Sequence, residues 1–239
     1  MSESMSVHRV EHPMHEQAWN EQQLARTVHR PILKVWTYDA PGLVLGCSQR
    51  ALQTSGATVR SSGGGAVLTG PWMLSISVIL PVGHPLVTPG LVESYRWFGL
   101  AHQAALQAMG VRALALPPDQ LSLMPRQPEL DWACFGNCSA WEVIAEGRKL
   151  VGLAQRRART GVLLTSGTLV STPDWGCLER YLPRHAQSLS ALAARTTSCA
   201  REVGRSVPPE VLAQALLPVL IQKLFPSPVW TGNNEQLRV

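Results

Sequence analysis

The sequence is poor in most of what would assign it to a special class. No run approaches the roughly 18 uninterrupted apolar residues of a membrane span, so no membrane partner is expected. The opening "MSESMSVHRVEHPMHEQAWNEQ" lacks the apolar core of a secretory signal, and a cytoplasmic setting follows as the expectation. The five cysteines, at 47, 134, 138, 177 and 199, are odd in number and form no repeated Cys-x-x-Cys pair. A disulfide framework is not the organising device, and no metal centre is expected. In a reducing compartment, a cysteine that matters is a chemical group. Charged residues make up only 15% of the chain, and the net charge of +5 comes from scattered arginines. That balance is too weak to point to nucleic acid, which is not expected as a partner; it suits an acidic protein surface or a phosphate-bearing ligand. Internal repeats and low-complexity segments are also missing.

What is present is a 239-residue chain, 45% hydrophobic, long enough to bury a core without staples. Residues 14–28 read as a polar helix with Trp19, Leu24 and Val28 on its buried side. Strands are expected at 31–39 and 41–49, and another leads into the glycine loop near 60. The stretch 72–81 alternates like a half-buried strand. A helix is expected over 88–112, started by Thr88–Pro89 and stopped by a glycine. After a proline-bounded loop, residues 133–170 form strands around a tight turn at Glu146-Gly147-Arg148. "PDWGCLERYLP" and residues 208–225 read as helices. The expected fold class is α+β, a mixed, mostly antiparallel sheet flanked by helices. Residues 1–13 form a loose lead, 14–200 the main domain, and 201–239 a helical extension with a tail.

Three clusters carry candidate chemistry. In "RSSGGGAVLTG" (60–70), glycine N–H groups unshielded by Cβ can line a ligand, and Arg60 can supply a charge-assisted donor. Glycine triplets also mark plain bulges and turns. In "EGRKLVGLAQRR" (146–157), Lys149 heads a strand on which Gly152 and Ala154 leave room beside the ammonium. So placed, it can polarise a carbonyl or neutralise a phosphate or oxyanion, where an ordinary strand-start lysine is simply solvated. In "ACFGNCS", Cys134 and Cys138 make a poor zinc pair. Cys134, however, lies one strand ahead of the Lys149 hairpin, and a cation beside a thiol favours the nucleophilic thiolate. Cys47, Cys177 and Cys199 read as small buried hydrophobes.

In this order the motifs resemble the biotin/lipoate A/B protein ligase family, over about residues 14–175. "RSSGGGAVLT" is similar to the family loop R-R-x-x-G-G-G-x-V-x-H, and "GRKLVGLAQRR" to its lysine hairpin G-x-K-x-x-G-x-A-x-x-R. "SGTLV" (166–170) corresponds to its H-G-x-L-L strand, and "GCSQR" (46–50) to a G-x-x-Q strand end. Within the family, "CFGNCSAWEVIAEGRK" resembles the cysteine-dependent octanoyl/lipoyl transferases, with Cys-Phe, Ser-x-x-Glu and Gly-Arg-Lys at matching spacing.

The resemblance implies a class II biotin/lipoyl ligase-like catalytic domain that attaches lipoate or octanoate to a lysine of a lipoyl carrier domain. The carrier would be of the glycine-cleavage H or 2-oxoacid dehydrogenase E2 kind. It implies Cys134 as acyl-accepting nucleophile and Lys149 as the group polarising the acyl carbonyl, with an acyl carrier protein as a possible donor. The acyl or adenylate group would lie along Arg60, Ser61, Gly63, Gly64, Gly65, Ala66, Val67, Thr69, Gly152, Ala154 and Gly167, with Arg148, Arg156 and Arg157 forming a basic mouth. The alternative is ATP- and Mg2+-dependent ligation through an acyl-adenylate. A non-catalytic acyl- or carrier-binding homologue is a third reading. A biotin ligase fits poorly, because "RSSGGGAV" lacks the G-R-G-R-x-G-R arrangement. Ser61, Thr69 and Ser166 stand where the family has an arginine and two histidines, which disfavours ordinary adenylation.

Overall fold

The structure, a computed structural model, describes residues 7–226. Ten strands form two sheets. The first five are β1 (Val7–Val10), β2 (Ile32–Tyr38), β3 (Gly42–Leu45), β4 (Ala57–Val59) and β5 (Val67–Thr69). They are followed by β6 (Met73–Leu80), β7 (Ala113–Ala115), β8 (Val143–Ala145), β9 (Arg148–Arg157) and β10 (Val162–Leu169). The helices are α1 (Met14–Leu24), α2 (Arg96–Ala108), α3 (Pro118–Leu121), α4 (Cys177–Tyr181), α5 (Leu189–Ala194), α6 (Cys199–Val203) and α7 (Pro209–Leu224).

The large sheet has the order β1-β2-β6-β10-β9-β8-β7, antiparallel throughout except for the β1–β2 edge. The small sheet, β4-β3-β5, pairs β3 with β4 in parallel and with β5 antiparallel. The α+β class expected from the sequence is the observed one. Val7–Val10, inside the expected loose lead, instead add a strand beside β2. The expected tail falls mostly on residues 227–239, outside the described residues.

β6 departs from the half-buried strand its alternation suggested: all eight residues are buried. Met73, Ser75 and Ser77 alternate with Leu74, Ile76, Val78 and Leu80, so one face is partly polar yet still covered. That polar face meets α1. The helix ends at Leu24, so Val28 lies beyond it. Its buried stripe is Glu16, Asn20 and Leu24, four residues apart, rather than the apolar Trp19–Leu24–Val28 line. The second helix begins at Arg96, after a short 3-10 turn, because residues 88–92 are taken up in turns. α7 buries Leu212, Leu216, Leu220 and Leu224 and packs on α2 and β6, within the same core. Of the three cysteines expected as buried fillers, Cys199 is buried, Cys177 partly so, and Cys47 is exposed. No helix among the described residues is long and apolar enough to cross a membrane.

His102 on α2 is the titratable group most committed to this core. Its Nδ1 lies 2.8 Å from the Phe98 carbonyl, and its Nε2 has no partner among the described residues. Burial lowers its pKa to about 4. An unfolded histidine titrates near 6.5, so below that pH the unfolded chain takes up a proton that the folded one refuses. The stability contribution is complete above about pH 6.5 and is lost as the pH falls towards 4. In urea titrations, His102→Leu should remove this part of the acid sensitivity. By about pH 4.5 the wild type should have lost roughly 2–3 kcal/mol relative to the variant.

Candidate active site

The β8–β9 hairpin positions the first functional side chain. Glu146 and Gly147 both take positive φ, 49° and 71°. This is the two-residue turn whose twist matches antiparallel strands, and it starts β9 so that Lys149 points into the protein. Lys149 is 2% exposed. Its Nζ lies 2.5 Å from Glu142 Oε2 and donates to the carbonyls of Cys134 (2.6 Å) and Asn137 (2.9 Å). An ammonium has three N–H donors, and these three partners use them all. Burial works against the charge, but Glu142, then Cys134 and Cys138, outweigh it and hold the Lys149 pKa above its ordinary value.

The sequence reading gave Glu142 no role in the site, although it is the glutamate of the Ser-x-x-Glu motif. Trp141, just before it, adopts φ 68°, a left-handed conformation that costs a bulky residue strain. Glu142 is 3% exposed. Its carboxylate also accepts from the backbone N–H groups of Ser139 (2.7 Å) and Leu153 (3.1 Å). It therefore joins the Cys134–Ser139 loop to β9.

The glycine triplet acts through its backbone. A Cβ on Gly65 would stand 2.6 Å from the Ala133 carbonyl carbon and 2.7 Å from Cys134 N. Only glycine lets the two chains approach like this. There the Ala66 N–H donates to Trp132 O (2.7 Å) and the Cys134 N–H donates to Ala66 O (2.9 Å). Gly64, at φ 93°, lays its carbonyl against Gly46, where a Cβ would collide with it. Gln49 completes the junction: its Nε2 donates to Trp132 O at 2.8 Å. Arg60, only 6% exposed, donates through Nη2 to the carbonyls of Gly63 and Gly65, both at 2.8 Å. It shapes the loop from within and keeps a buried positive charge beside the cleft.

The cleft lies between the large sheet and the small one and has a cavity volume of about 50 Å³. Arg60, Val67, Thr69, Cys134, Gly152, Ala154 and Gly167 border it. Ser61, Gly63, Gly64, Gly65, Ala66 and Lys149, expected along the acyl group, do not border it. Thr69 does not face a ligand through its hydroxyl, which donates to Gly42 O at 3.0 Å. Ser166 also borders the cleft, and its Oγ has no partner among the described residues. Cys134 Sγ stands 3.3 Å from where a Gly152 Cβ would be.

Sequence reasoning did not find the polar end of the cleft. Glu16 accepts from Tyr38 Oη on one oxygen and from Ser75 Oγ (2.9 Å) and Ser77 Oγ (3.4 Å) on the other. Burial pushes its carboxyl above the usual range, against the pull of these hydrogen bonds. The expected basic mouth is largely neutralised. Arg148 pairs with Glu202 (3.0 Å) and Arg156 with Glu21 (2.6 Å), while Arg157 is drawn onto the Val87 carbonyl (2.7 Å).

The model of the family described as Lipoyl protein ligase A/B catalytic domain matches residues 12–221. Octanoyltransferase LipM of Kyrpidia tusciae is 29% identical over 230 residues, which cover 86% of this chain and 81% of that protein. Octanoyltransferase LipM of Symbiobacterium thermophilum is 29% identical over 194 residues, 74% of this chain and 69% of that one. The similarity to the LipM of Brevibacillus brevis spans 55% of that relative. Among solved structures, a lipoate-protein ligase A bound with ATP superposes with a TM-score of 0.65 at 17% identity, covering 94% of this chain and 86% of that one. A bipartite archaeal lipoate protein ligase from Thermoplasma acidophilum gives 0.64 at 16% identity, covering 91% and 82%. At these identities the superpositions speak for the fold.

The Lys149–Glu142 pair yields a test of the site's architecture. Removing one partner of a buried pair strands the other charge and costs about 3–5 kcal/mol. Lys149→Met or Glu142→Leu should each lower stability by that order in urea titrations. The double variant Lys149→Met/Glu142→Leu should lose clearly less than the sum. Additive losses would show that the two charges are not coupled.

Proposed function

The chain belongs to the lipoyl protein ligase A/B catalytic-domain family, and from that membership we propose that it transfers an octanoyl or lipoyl group, through a thioester on Cys134, to a lysine of a lipoyl carrier domain. The observation that carries this reading is the position of Cys134. Its sulfur borders the acyl cleft above Gly152, and its main chain is held by Ala66 and Lys149. The octanoyltransferase relatives support the same chemistry.

In the first half-reaction the Cys134 sulfur, having lost its proton, attacks the carbonyl carbon of an acyl thioester, such as an acylated carrier protein. A new C–S bond forms, the donor's C–S bond breaks, and the departing thiolate takes up the proton. In the second, the uncharged amine of the acceptor lysine attacks the Cys134 thioester. The C–N bond forms, Cys134 leaves as thiolate, and the surplus amine proton is released. In the first step negative charge passes from the Cys134 sulfur to the carbonyl oxygen and on to the departing thiolate. In the second it builds on the carbonyl oxygen and returns to Cys134, and buried positive charge beside these atoms lowers the barrier by electrostatic preorganisation.

Lys149 then acts chiefly as a clamp. Its three donors hold the Cys134 loop, and it can reach a substrate oxygen only by releasing one carbonyl. Gly152, Gly167 and Ala154 keep the floor low enough for a thin chain. The acceptor would be a carrier of the H-protein or E2 kind, approaching at the Cys134 mouth. ATP and Mg2+ take no part in this route.

Incubation with octanoyl carrier protein should give a mass adduct on the protein that hydroxylamine removes and Cys134→Ala abolishes. Formation of octanoyl-AMP from octanoate and ATP, with Cys134→Ala fully active, would overturn the thioester route in favour of ligation. An absence of both products would favour a binding protein.

A further inference from the structure

The cleft runs across the large sheet from β9 towards β2. Cys134 Sγ stands over Gly152 on β9, Gly152 pairs with Gly167 on β10, and Gly167 pairs with Ser75 on β6. Tyr38 borders the far side from β2. An acyl chain joined to the Cys134 sulfur and laid in this cleft crosses Gly152 first and Gly167 next. Side chains two residues apart on a strand share a face, so Met73 stands beside Ser75 at that second crossing. Its Sδ and Cε lie 3.0 and 3.4 Å from the point that a Gly167 Cβ would occupy. Gly167 is a bed for the Met73 thioether, and the thioether lies in the path of the chain.

Room there is short. The cleft volume of about 50 Å³ takes roughly four waters, at about 10–15 Å³ each, and an octanoyl chain has more carbons than that. A chain of this length enters only if part of the wall moves. Most of the wall is fixed. The floor is paired strand backbone, Tyr38 and Ser75 are tied to Glu16, and Arg60 is tied to the carbonyls of the glycine loop. Val44 and Val67 are branched at Cβ and stiff. Met73 differs from all of these. It is buried, at 1% exposure, it has no polar group to hold it in place, and its unbranched side chain is flexible.

We propose that Met73 is the residue that sets how long an acyl chain this cleft accepts: a short chain stops at the thioether, and an octanoyl chain enters by turning it off Gly167. The inference rests on the acyl-transfer reading for what is joined at Cys134, and on Met73 and Gly167 for the choice of length.

The test uses butanoyl, octanoyl and dodecanoyl pantetheine thioesters as donors. Acylation of Cys134 is followed by intact mass, and binding of the corresponding free acids is measured by calorimetry. The wild type should take octanoyl over dodecanoyl by about tenfold or more, since a misfit of even one methylene in an apolar pocket costs about that much. Met73→Ala should raise the dodecanoyl-to-octanoyl ratio by about tenfold or more, in rate and in binding. Gly167→Ala places a methyl in the bed, where it meets only the movable end of Met73. It should lower octanoyl relative to butanoyl by a similar factor. A merely structural defect would weaken all chains alike and leave these ratios where they were, so unchanged ratios in either folded variant overturn the proposal. A wild type that takes dodecanoyl as readily as octanoyl does the same. Length-selective binding of the free acids that shifts in Met73→Ala, with no thioester acylating Cys134, would uphold the role of Met73 and overturn the transfer chemistry instead.

Discussion

Most of the site depends on one buried ion pair, Lys149 with Glu142. Two charges removed from water are tolerable only when every remaining donor and acceptor is met. Here they are met by the parts that must be brought together. The lysine spends its other two donors on the carbonyls of Cys134 and Asn137, and the glutamate accepts from Ser139 and Leu153. An irregular loop, a hairpin strand and Cys134 thereby become one unit, whose cohesion comes from satisfying charge rather than from apolar contact. The strained Trp141 backbone fits this picture, because the turn it makes aims Glu142 inward.

The second constraint is closeness of backbone. Gly65 against Cys134 and Gly64 against Gly46 leave no room for a Cβ, and Arg60 fills the inside of the loop with donors to its carbonyls. The arginine thus has two roles from one position. It sets the loop's shape, and its charge, buried without a carboxylate in contact among the described residues, faces the cleft.

The cleft is graded from end to end. Glycines and an alanine line the strands near Cys134, and hydroxyls and a carboxyl line those near α1. This gradient comes from two sheets and a helix meeting, with β6 contributing Ser75 and Ser77 on the face that α1 covers. The neutralised arginines near the mouth carry a related lesson. Arg148 and Arg156 look like free positive charge in a linear sequence, but folding supplies each with a glutamate more than fifty residues away.

The sequence by itself determined the α+β class, the Glu146–Gly147 turn, the α7 helix and the pairing of a glycine loop with a lysine hairpin. These signals are local: residues in a row dictate a turn, a period or a motif spacing. It also singled out Cys134 and Lys149, because a thiol and an amine are scarce chemistry in a fixed spacing. The tertiary structure alone decided what those groups touch. α1 turned Glu16 inward, where the Ser75 and Ser77 hydroxyls of β6 receive it, which no amphipathic pattern announces. Lys149 became a clamp because three acceptors converge on it from separate segments, and the glycines became contact points because Cys134 passes within van der Waals reach of them. Burial and partner choice are long-range properties. They depend on which segments meet in space, and no residue's neighbours in sequence encode that directly.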